Sequence, residues 1–271
     1  MHQTTKHTKV TVELIKSKQD SDRIERWLHP PDTSMNINQA RELRHEGTGE
    51  WFLKGTVFAE WTQGSRRRLW LRGFPGCGKT VLSGAIYDSL SKGGCVVLAH
   101  FFDFNDPKKQ TVDGMTRSLL YQLYKSPTHS SSMLENLFRS HHDGRDQAGT
   151  PALLTCLFDM LRKSSNVCIL LDALDECSTR KELLLWIERL VKDLDHLRIV
   201  ATGRPEEEFQ NEIPKYFGDE NCITLDKERI NADIRSYMAA KLSDPCFKKW
   251  VPYPNTQKLI LERVGGKADG M

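Results

Sequence analysis

The sequence lacks the features of a disulfide-bonded, zinc-binding or membrane-spanning protein. Its seven cysteines are an odd number with no C-x-x-C pair, which argues against a disulfide framework and against a zinc site. No apolar run approaches the roughly 18 residues that indicate a membrane span. The first nine residues lack the apolar core of a signal peptide. We therefore expect an intracellular, cytoplasmic protein with no membrane partner, with the nucleus as the alternative.

The chain also lacks a strong charge of either sign. Its 39 lysines and arginines nearly balance 36 aspartates and glutamates, which leaves a net charge of +3. That balance does not by itself favour nucleic acid as a partner. The densest basic run, Arg66-Arg67-Arg68, immediately precedes an apolar stretch and is predicted to lie on a solvated turn. The length of 271 residues suits one medium-sized domain and a smaller one.

A glycine-rich stretch is the strongest motif in the chain. Residues 73–80 read G-F-P-G-C-G-K-T and stand between an apolar run and a helical pattern, as the phosphate-binding pattern G-x-x-x-x-G-K-[ST] requires. Glycines let backbone N–H groups point into one concavity, and the positive end of the following helix favours a phosphate. The predicted nucleotide-binding residues are Gly73, Pro75, Gly76, Cys77, Gly78, Lys79, Thr80 and Val81.

A cluster of acidic residues follows a second apolar run. Residues 167–171 are V-C-I-L-L, and Asp172-Ala173-Leu174-Asp175-Glu176 come directly after them. A phosphate loop needs a carboxylate at the end of a neighbouring strand to bind Mg²⁺, so Thr80 and Asp172 are the predicted metal ligands. Asp175 and Glu176 are close enough to extend the metal network or to orient a water. Three like charges together favour a cation between them; a solvated acidic turn is the alternative.

An arginine ends a third apolar run. Residues 199–205 read I-V-A-T-G-R-P, which would put Arg204 at the carboxyl edge of a sheet, where open α/β folds bind ligands. A guanidinium at that position can contact a γ-phosphate. The alternative is an arginine that caps or forms a salt bridge locally. The predicted catalytic residues are Glu176, Asp175 and Arg204.

Strand-like and helix-like patterns alternate between these motifs. Such alternation indicates βαβ units and a parallel sheet with helices on both faces. The predicted strands span residues 69–71, 95–104, 167–171, 197–202 and 222–225, and the predicted helices of the core span residues 80–90, 111–125, 130–140, 151–163 and 181–194.

The chain is predicted to have three parts. Residues 1–66 form a helical segment whose tryptophans suggest that it packs on the core. It is expected to have helices at residues 22–28, around Ala40 to His45 and around Val57 to Trp61, with a connector at 32–38. Residues 67–226 form the core. Residues 227–271 begin a helical domain with an apolar stretch that contains Ile234, Tyr237, Met238 and Leu242.

The three motifs together resemble the NACHT class of signal-transducing (STAND) P-loop NTPases. The likeness is closest to fungal NOD-like receptor proteins whose NTPase module is similar to the nephrocystin N-terminal region, and residues 47–53 and 101–104 share it. The resemblance implies an α/β P-loop NTPase fold: a mainly parallel sheet of about five strands flanked by helices, a helical N-terminal segment and the start of a C-terminal helical domain.

The resemblance also implies a nucleotide-controlled switch with ATP or ADP and Mg²⁺ as cofactors. ADP would hold a closed form, ATP would permit an open form that self-associates or binds protein partners, and slow hydrolysis would reset the switch. Lys79 and Thr80 would bind phosphate and Mg²⁺, Asp172 would bind the metal, Glu176 would orient the water and Arg204 would sense the γ-phosphate.

The sequence departs from this family at two places and leaves some functions open. Ala173 stands where many animal members have glycine, and the chain stops soon after an apolar face at residues 259–264 that members continue. We expect a fragment or a truncated relative that associates through this face. A non-catalytic, nucleotide-bound scaffold is the second candidate function; a small-molecule kinase is disfavoured because no arginine-rich lid pattern is present. Thr48 and Trp51 are candidates to flank the base, but packing is the preferred role for Trp51.

Overall fold

The structure is a computed structural model that describes residues 19–126 and 132–242, together with Thr256 and Leu259. The predictions for residues 1–18, 260–264 and the last residues of the chain lie outside the described residues. Leu259 belongs to the predicted apolar face, and it is 50% exposed.

Five parallel strands form the central sheet. Their order across the sheet is β2-β3-β4-β1-β5. All six residues of β3 are buried, as expected for a strand that helices cover on both faces. The predicted α/β fold with about five parallel strands is confirmed. The strands are β1 (Arg68–Arg72), β2 (Val96–Phe101), β3 (Val167–Asp172), β4 (Arg198–Gly203) and β5 (Cys222–Thr224).

The predicted strand at residues 95–104 is too long, since β2 ends at Phe101. The N–H of Phe102 still donates to the carbonyl of Asp172 at 3.0 Å. The chain then turns away, because the Asp103 carboxylate accepts from the N–H of Asn105 at 2.9 Å. Residues 103–106 therefore form a loop beside the end of β3.

Helices cover both faces of the sheet. One apolar cluster lies on each face, between the sheet and the helices. Leu69 and Leu71 of β1 belong to one cluster and Trp70 to the other, as the alternation of side chains along a strand requires. Among the described residues, no helix is both long and apolar enough to cross a bilayer. The helices are α1 (residues 19–28), α2 (Ser34–Leu43), α3 (Glu50–Leu53), α4 (Thr56–Gln63), α5 (Lys79–Lys92), α6 (Val112–Lys125), α7 (Ser132–Ser140), α8 (Thr150–Arg162), α9 (Arg180–Asp193), α10 (Glu207–Phe217) and α11 (Lys227–Leu242).

Helix α2 corrects the prediction of a connector at residues 32–38 followed by a helix as far as His45. The carboxylate of Asp32 accepts from the N–H of Ser34 at 2.8 Å, which starts the helix four residues before the predicted connector ends. Arg44 is extended and terminates the helix. His45 consequently lies in the turn after α2, where it is available to line a cavity.

The N-terminal helices are joined to the core by tryptophan hydrogen bonds. The indole N–H of Trp61 donates to the carbonyl of Ile199 in β4 at 3.1 Å, and that of Trp27 donates to the carbonyl of Asp146 at 2.7 Å. The basic run before β1 is also anchored, since Arg66 and Arg67 donate to the carbonyls of Glu220 and Asp195, each at 2.6 Å. Both arginines thus bind backbone oxygens of the core, and Arg67 remains exposed to solvent.

Candidate nucleotide-binding site

The glycine-rich loop joins the carboxyl end of β1 to the first turn of α5. Gly76 and Gly78 have φ angles of +75° and +81°, a left-handed conformation that glycine adopts without a steric cost. At Gly73 an added Cβ would lie 2.6 Å from the sulfur of Cys77. Helix α5 begins at Lys79, so the unpaired N–H groups of its first turn face the loop and make a favourable place for an anion.

Lys79 is held inside this loop. Its Nζ donates to the carbonyl oxygens of Gly73 and Phe74 at 2.9 and 2.8 Å, and it lies 3.8 Å from the sulfur of Cys77. Hydrogen bonds to two backbone oxygens thus hold the ammonium group at the loop. It can exchange those oxygens for the oxygens of a phosphate without a change in the backbone.

Asp172, the last residue of β3, is buried behind the loop. Its carboxylate accepts hydrogen bonds from the hydroxyls of Thr80 at 2.8 Å, Ser83 at 2.6 Å and Thr202 at 2.6 Å. Burial raises the pKa of Asp172, and the three hydroxyl donors act in the opposite direction. The structure therefore brings the predicted metal ligands Thr80 and Asp172 into direct contact.

Ser83 and Thr202 are contacts that the sequence analysis missed. Ser83 is fully buried in α5, three residues after Thr80 and thus on the same side of the helix. Thr202 is fully buried near the end of β4, and its hydroxyl also accepts from the N–H of Ala173 at 3.1 Å. A buried polar residue in an otherwise apolar strand or helix was the signal available in the sequence.

Asp175 and Arg204 pair with each other beside the loop. The carboxylate of Asp175 accepts from the backbone N–H of Arg204 at 2.8 Å, and its second oxygen lies 3.1 Å from the Nε of Arg204. The Asp175 side chain is 6% exposed and the Arg204 side chain 43% exposed. The local salt bridge that the sequence left open for Arg204 is thus present, and it fixes the guanidinium at the carboxyl edge of the sheet.

Glu176 points toward the loop that follows β2. One of its carboxylate oxygens accepts from the N–H of Phe104 at 3.1 Å. Burial raises the pKa of Glu176, and the nearby Asp175, Asp103 and Asp172 carboxylates raise it further. Each of the three acids of the motif thus has its own partners: hydroxyl groups for Asp172, Arg204 for Asp175 and the N–H of Phe104 for Glu176. Among the described residues, no group of three potential ligand side chains is gathered ready for a metal ion.

Most of the predicted site residues meet around one cavity of about 260 Å³. Gly73, Cys77 and Asp172 are outside its lining. The lining residues are Pro75, Gly76, Gly78, Lys79, Thr80, Val81, Ala173, Asp175, Glu176 and Arg204.

A second, more apolar cavity of about 300 Å³ lies on the other side of the phosphate loop. It shares Gly76, Gly78 and Val81 with the first cavity. Thr48 and Trp51 line it. Trp51 is also a packing residue, since the centres of its ring and the ring of Phe52 are 5.9 Å apart. The sequence analysis did not foresee that α11 forms one wall. The remaining lining residues are Leu43, His45, Gly49, Cys77, Leu82, Leu225, Ile230, Asp233, Ile234 and Tyr237.

The chain is similar to several known proteins. One curated relative, the vegetative incompatibility protein HET-E-1 of Podospora anserina, is 29% identical over 204 residues; the alignment covers 71% of this chain and 15% of the relative. Two solved structures align at lower similarity. A DNA replication initiation factor has a TM-score of 0.45 and 14% identity, with 74% of this chain and 53% of the other covered. The Aeropyrum pernix ORC1 protein in complex with DNA has a TM-score of 0.44 and 13% identity, with 80% and 58% covered.

The family comparison covers more than half of the chain. Residues 47–204 match the family described as "Nephrocystin 3, N-terminal". This range contains the glycine-rich loop, the acidic turn and Arg204, and it ends with the third motif. The chain therefore belongs to the nephrocystin 3 N-terminal family and is a NACHT-type P-loop NTPase module.

Proposed function

We propose that the chain is a regulatory nucleotide-binding switch that binds ATP and ADP with Mg²⁺ and hydrolyses ATP slowly. The observation that carries the proposal is the 2.8 Å hydrogen bond between the hydroxyl of Thr80 and the carboxylate of Asp172. It joins the end of the phosphate loop to the acidic end of β3, the two parts that must act together on a metal-bound phosphate.

The residues present fit a di- or triphosphate. The first turn of α5 offers N–H donors and the positive end of the helix dipole. Lys79 and Arg204 both line the cavity, which is about 260 Å³. These two cationic side chains, together with the backbone N–H donors, can bind the oxygens of a di- or triphosphate.

The donor set around Asp172 fits Mg²⁺. Thr80 and Asp172 would hold the ion through a hydroxyl and a carboxylate oxygen, the hard ligands that Mg²⁺ prefers. The ion held by these residues would supply positive charge that offsets the charge of the phosphate oxygens. Ser83 and Thr202 keep the Asp172 carboxylate oriented toward Thr80 by donating to its other oxygen.

Glu176 and Arg204 are the proposed catalytic residues, and Asp175 positions Arg204. The raised pKa of Glu176 suits a carboxylate that accepts a proton from an attacking water, because a base works best when its pKa approaches the working pH. Arg204, tethered through the 3.1 Å contact to Asp175, is held where a γ-phosphate would end. Its interaction with that group would report whether ATP or ADP is bound.

The second cavity is the proposed site of the base and ribose. Its lining is mostly apolar and continues from the phosphate loop through Gly76, Gly78 and Val81, as a site for an aromatic base requires. The choice of adenine rests on family membership. We infer a reducing, cytoplasmic environment because the six cysteines of the described ranges are all unpaired.

The direct test is equilibrium binding of ATP and ADP to the purified 271-residue chain, with and without Mg²⁺. We expect saturable binding that Mg²⁺ strengthens and that Lys79→Ala weakens by about a hundredfold. Lys92→Ala, at the exposed far end of the same helix, is the matched control and leaves binding unchanged. Binding that is absent, or that Lys79→Ala leaves intact, rejects the proposal.

A non-catalytic scaffold with a structural nucleotide is the second candidate. It is favoured by the protein contacts that already engage Glu176 and Arg204. A turnover assay separates the two functions. Measurable ATP hydrolysis that Glu176→Gln abolishes while nucleotide binding persists supports the switch, whereas tight binding without turnover supports the scaffold.

The proposed switch serves a larger signalling protein. The chain spans 15% of the length of HET-E-1, whose name describes a vegetative incompatibility protein, and we propose a signalling role of that kind. Self-association in the ATP-bound form is part of the proposal. Sedimentation of the chain with ATP and with ADP tests it: equal sedimentation with both nucleotides contradicts nucleotide-dependent assembly.

A further inference from the structure

Helix α11 is fastened to the N-terminal segment by one carboxylate. A single oxygen of Asp233 accepts from the backbone N–H of Gly49 and from the indole N–H of Trp51, each at 3.0 Å. Both contacts are partly buried. Hydrogen bonds to a charged acceptor are about twice as strong as those between neutral groups. The carboxylate thus links two parts of the chain that lie 182 and 184 residues apart in sequence.

The same face of α11 closes the second cavity. Ile230, Asp233, Ile234 and Tyr237 all line it. Their spacing of three, four and seven residues places them on one side of a helix. The opposite wall includes Gly49 and Trp51, the two donors to Asp233. The Asp233 contacts therefore hold the two walls of the cavity together.

Few apolar contacts support this attachment. Along the described length of α11, only Ile230 is buried. Its ring contacts are longer: Lys227 lies 4.9 Å from the ring centre of Phe74, Arg229 lies 5.6 Å from the ring centre of Trp51, and the ring centres of His45 and Tyr237 are 6.1 Å apart. A helix that buries little apolar surface gains correspondingly little free energy from docking. The two hydrogen bonds of Asp233 are consequently a large part of what keeps α11 in place.

We propose that Asp233 is a positioning residue that latches α11 over the nucleotide cavity and thereby sets the rate of nucleotide release. This inference rests on the proposed function, because it assigns the base and ribose to the second cavity. A ligand in that cavity leaves when Asp233 releases Gly49 and Trp51 and α11 moves aside. The latch lowers the dissociation rate constant of the ligand more than it changes the association rate constant. The reason is that the two hydrogen bonds must break before the bound ligand can escape.

The test measures the release of ADP that carries a methylanthraniloyl fluorophore on its ribose, with unlabelled ADP in excess. Asp233→Ala is expected to raise the dissociation rate constant about tenfold, since it removes two charge-assisted hydrogen bonds. Alanine is the best helix former, so α11 itself is retained. The association rate constant is expected to change less than about threefold. Arg235→Gln, at an exposed position on the same helix, is the matched control with wild-type release.

A double-mutant cycle identifies the contact that matters. Trp51→Phe keeps an aromatic ring at the cavity wall and near Arg229 and removes the indole donor, so it is expected to raise the release rate by about threefold. In the Asp233→Ala background the same change is expected to add nothing, because the acceptor is already gone. If the release rate of the double variant rose by the product of the two single-variant factors, Trp51 and Asp233 would act independently. That result would overturn the latch.

Hydrogen exchange tests the latch without a ligand. The amides of residues 227–242 are expected to exchange faster in Asp233→Ala than in wild type or Arg235→Gln, while those of β3 stay protected. Unchanged exchange in α11 overturns the latch whatever the nucleotide result. If wild-type protein binds ADP and Asp233→Ala releases it at the wild-type rate, the latch is wrong and the proposed function stands. If wild-type protein binds no nucleotide, the proposed function itself fails and the release mechanism falls with it.

Discussion

In the proposed function, metal binding and protonation compete at Asp172. Its carboxylate is buried and accepts three hydroxyl hydrogen bonds, and burial raises its pKa above the ordinary value. A protonated carboxyl group is a poor ligand for Mg²⁺. The proton must therefore leave before the metal binds, and the binding of metal weakens as the pH falls through the raised pKa.

We predict that the gain in ADP affinity caused by Mg²⁺ shrinks as the pH is lowered from neutral into the acid range. The measurement is ADP binding with Mg²⁺ and with a chelator across this range. Asp172→Asn is isosteric and does not titrate, so its small Mg²⁺ effect is expected to be independent of pH. A wild-type profile parallel to that of Asp172→Asn would assign the pH dependence to another group.

Ala173 carries backbone strain next to this carboxylate. Its φ angle of +56° is left-handed, which costs an alanine about 1–2 kcal/mol. Glycine avoids that cost but loses about 0.5–1 kcal/mol to the greater entropy of its unfolded chain. We predict that Ala173→Gly raises the free energy of unfolding by about 0.5–1 kcal/mol, as measured by urea denaturation. A destabilised variant would mean that the alanine methyl group provides packing that outweighs the strain.

At the residue scale, the sequence located the phosphate loop because its motif has a fixed spacing, and the binding roles of its residues stay predictions. The loop from Gly73 to Thr80 is contiguous, so its glycines and its lysine could be assigned from spacing alone. Ser83 and Thr202 could not, because their role depends on the meeting of α5, β3 and β4 at Asp172. The pairing of Asp175 with Arg204 is equally a product of neighbouring strands. The sequence left it as one of two alternatives.

Helices α2 and α5 pack closely enough that one methyl group decides their fit. A Cβ added at Gly84 of α5 would lie 2.7 Å from the Cβ of Ala40 in α2, nearer than real carbon atoms approach. We predict that Gly84→Val lowers the free energy of unfolding by about 2 kcal/mol, because overpacking displaces the helices. The measurement is urea denaturation of the nucleotide-free protein.

Gly93, just after α5, is the matched control for this substitution. A Cβ added at Gly93 would lie no closer than 3.4 Å to its nearest neighbour, the carbonyl oxygen of Leu90. Gly93→Val is therefore expected to change the free energy of unfolding by less than about 0.5 kcal/mol. If Gly84→Val and Gly93→Val have the same small effect, α2 is less firmly packed on α5 than the structure indicates.

Strand β2 contains a buried histidine that makes folding sensitive to acid. Burial lowers the pKa of His100 from 6.5 to about 4. Its Nε2 lies 3.2 Å from the carbonyl of Lys109, and its Nδ1 has no hydrogen-bond partner among the described residues. The unfolded chain binds a proton near pH 6.5, but the folded chain binds one only near pH 4. The folded state therefore loses stability as the pH falls through this window.

We predict that His100 contributes a loss of about 3 kcal/mol in the free energy of unfolding between about pH 7 and about pH 4. Urea denaturation across this range measures the slope. His100→Gln keeps a polar side chain of similar reach without titrating, and its stability is expected to depend less steeply on pH. Identical slopes in the two proteins would show that the pKa of His100 is the same in the folded and unfolded chains.

At the scale of elements, the sequence predicted the types of the core elements better than their ends and arrangement. Apolar runs located all five strands, yet β2 stops at Phe101 because Asp103 turns the chain. Helix α2 starts earlier than predicted because Asp32 initiates it. The position of β1 between β4 and β5 depends on contacts between distant segments, which no local pattern specifies.

The whole molecule assembles its site from three separate parts of the chain. The core contributes the phosphate loop and the acidic turn, the N-terminal segment contributes Gly49 and Trp51, and α11 contributes Asp233. The division of the chain at residues 66 and 226 stays a prediction. The bonds from Asp233 to Gly49 and Trp51 nevertheless show that the segments on either side of the core contact each other directly. This arrangement allows the occupancy of one cavity to influence both.

The central claim is that the loop bearing Lys79 and the strand end bearing Asp172 bind one metal-bound nucleotide. A crystal structure of the 271-residue chain with Mg²⁺ and an ATP analogue that contains a non-hydrolysable β,γ-imido bridge tests it most directly. The account predicts phosphate oxygens on the N–H groups of the first turn of α5, Lys79 in contact with the β- and γ-phosphates, and Mg²⁺ beside Thr80 and Asp172. A nucleotide bound elsewhere on the chain, or phosphates that contact neither Lys79 nor the first turn of α5, would contradict it.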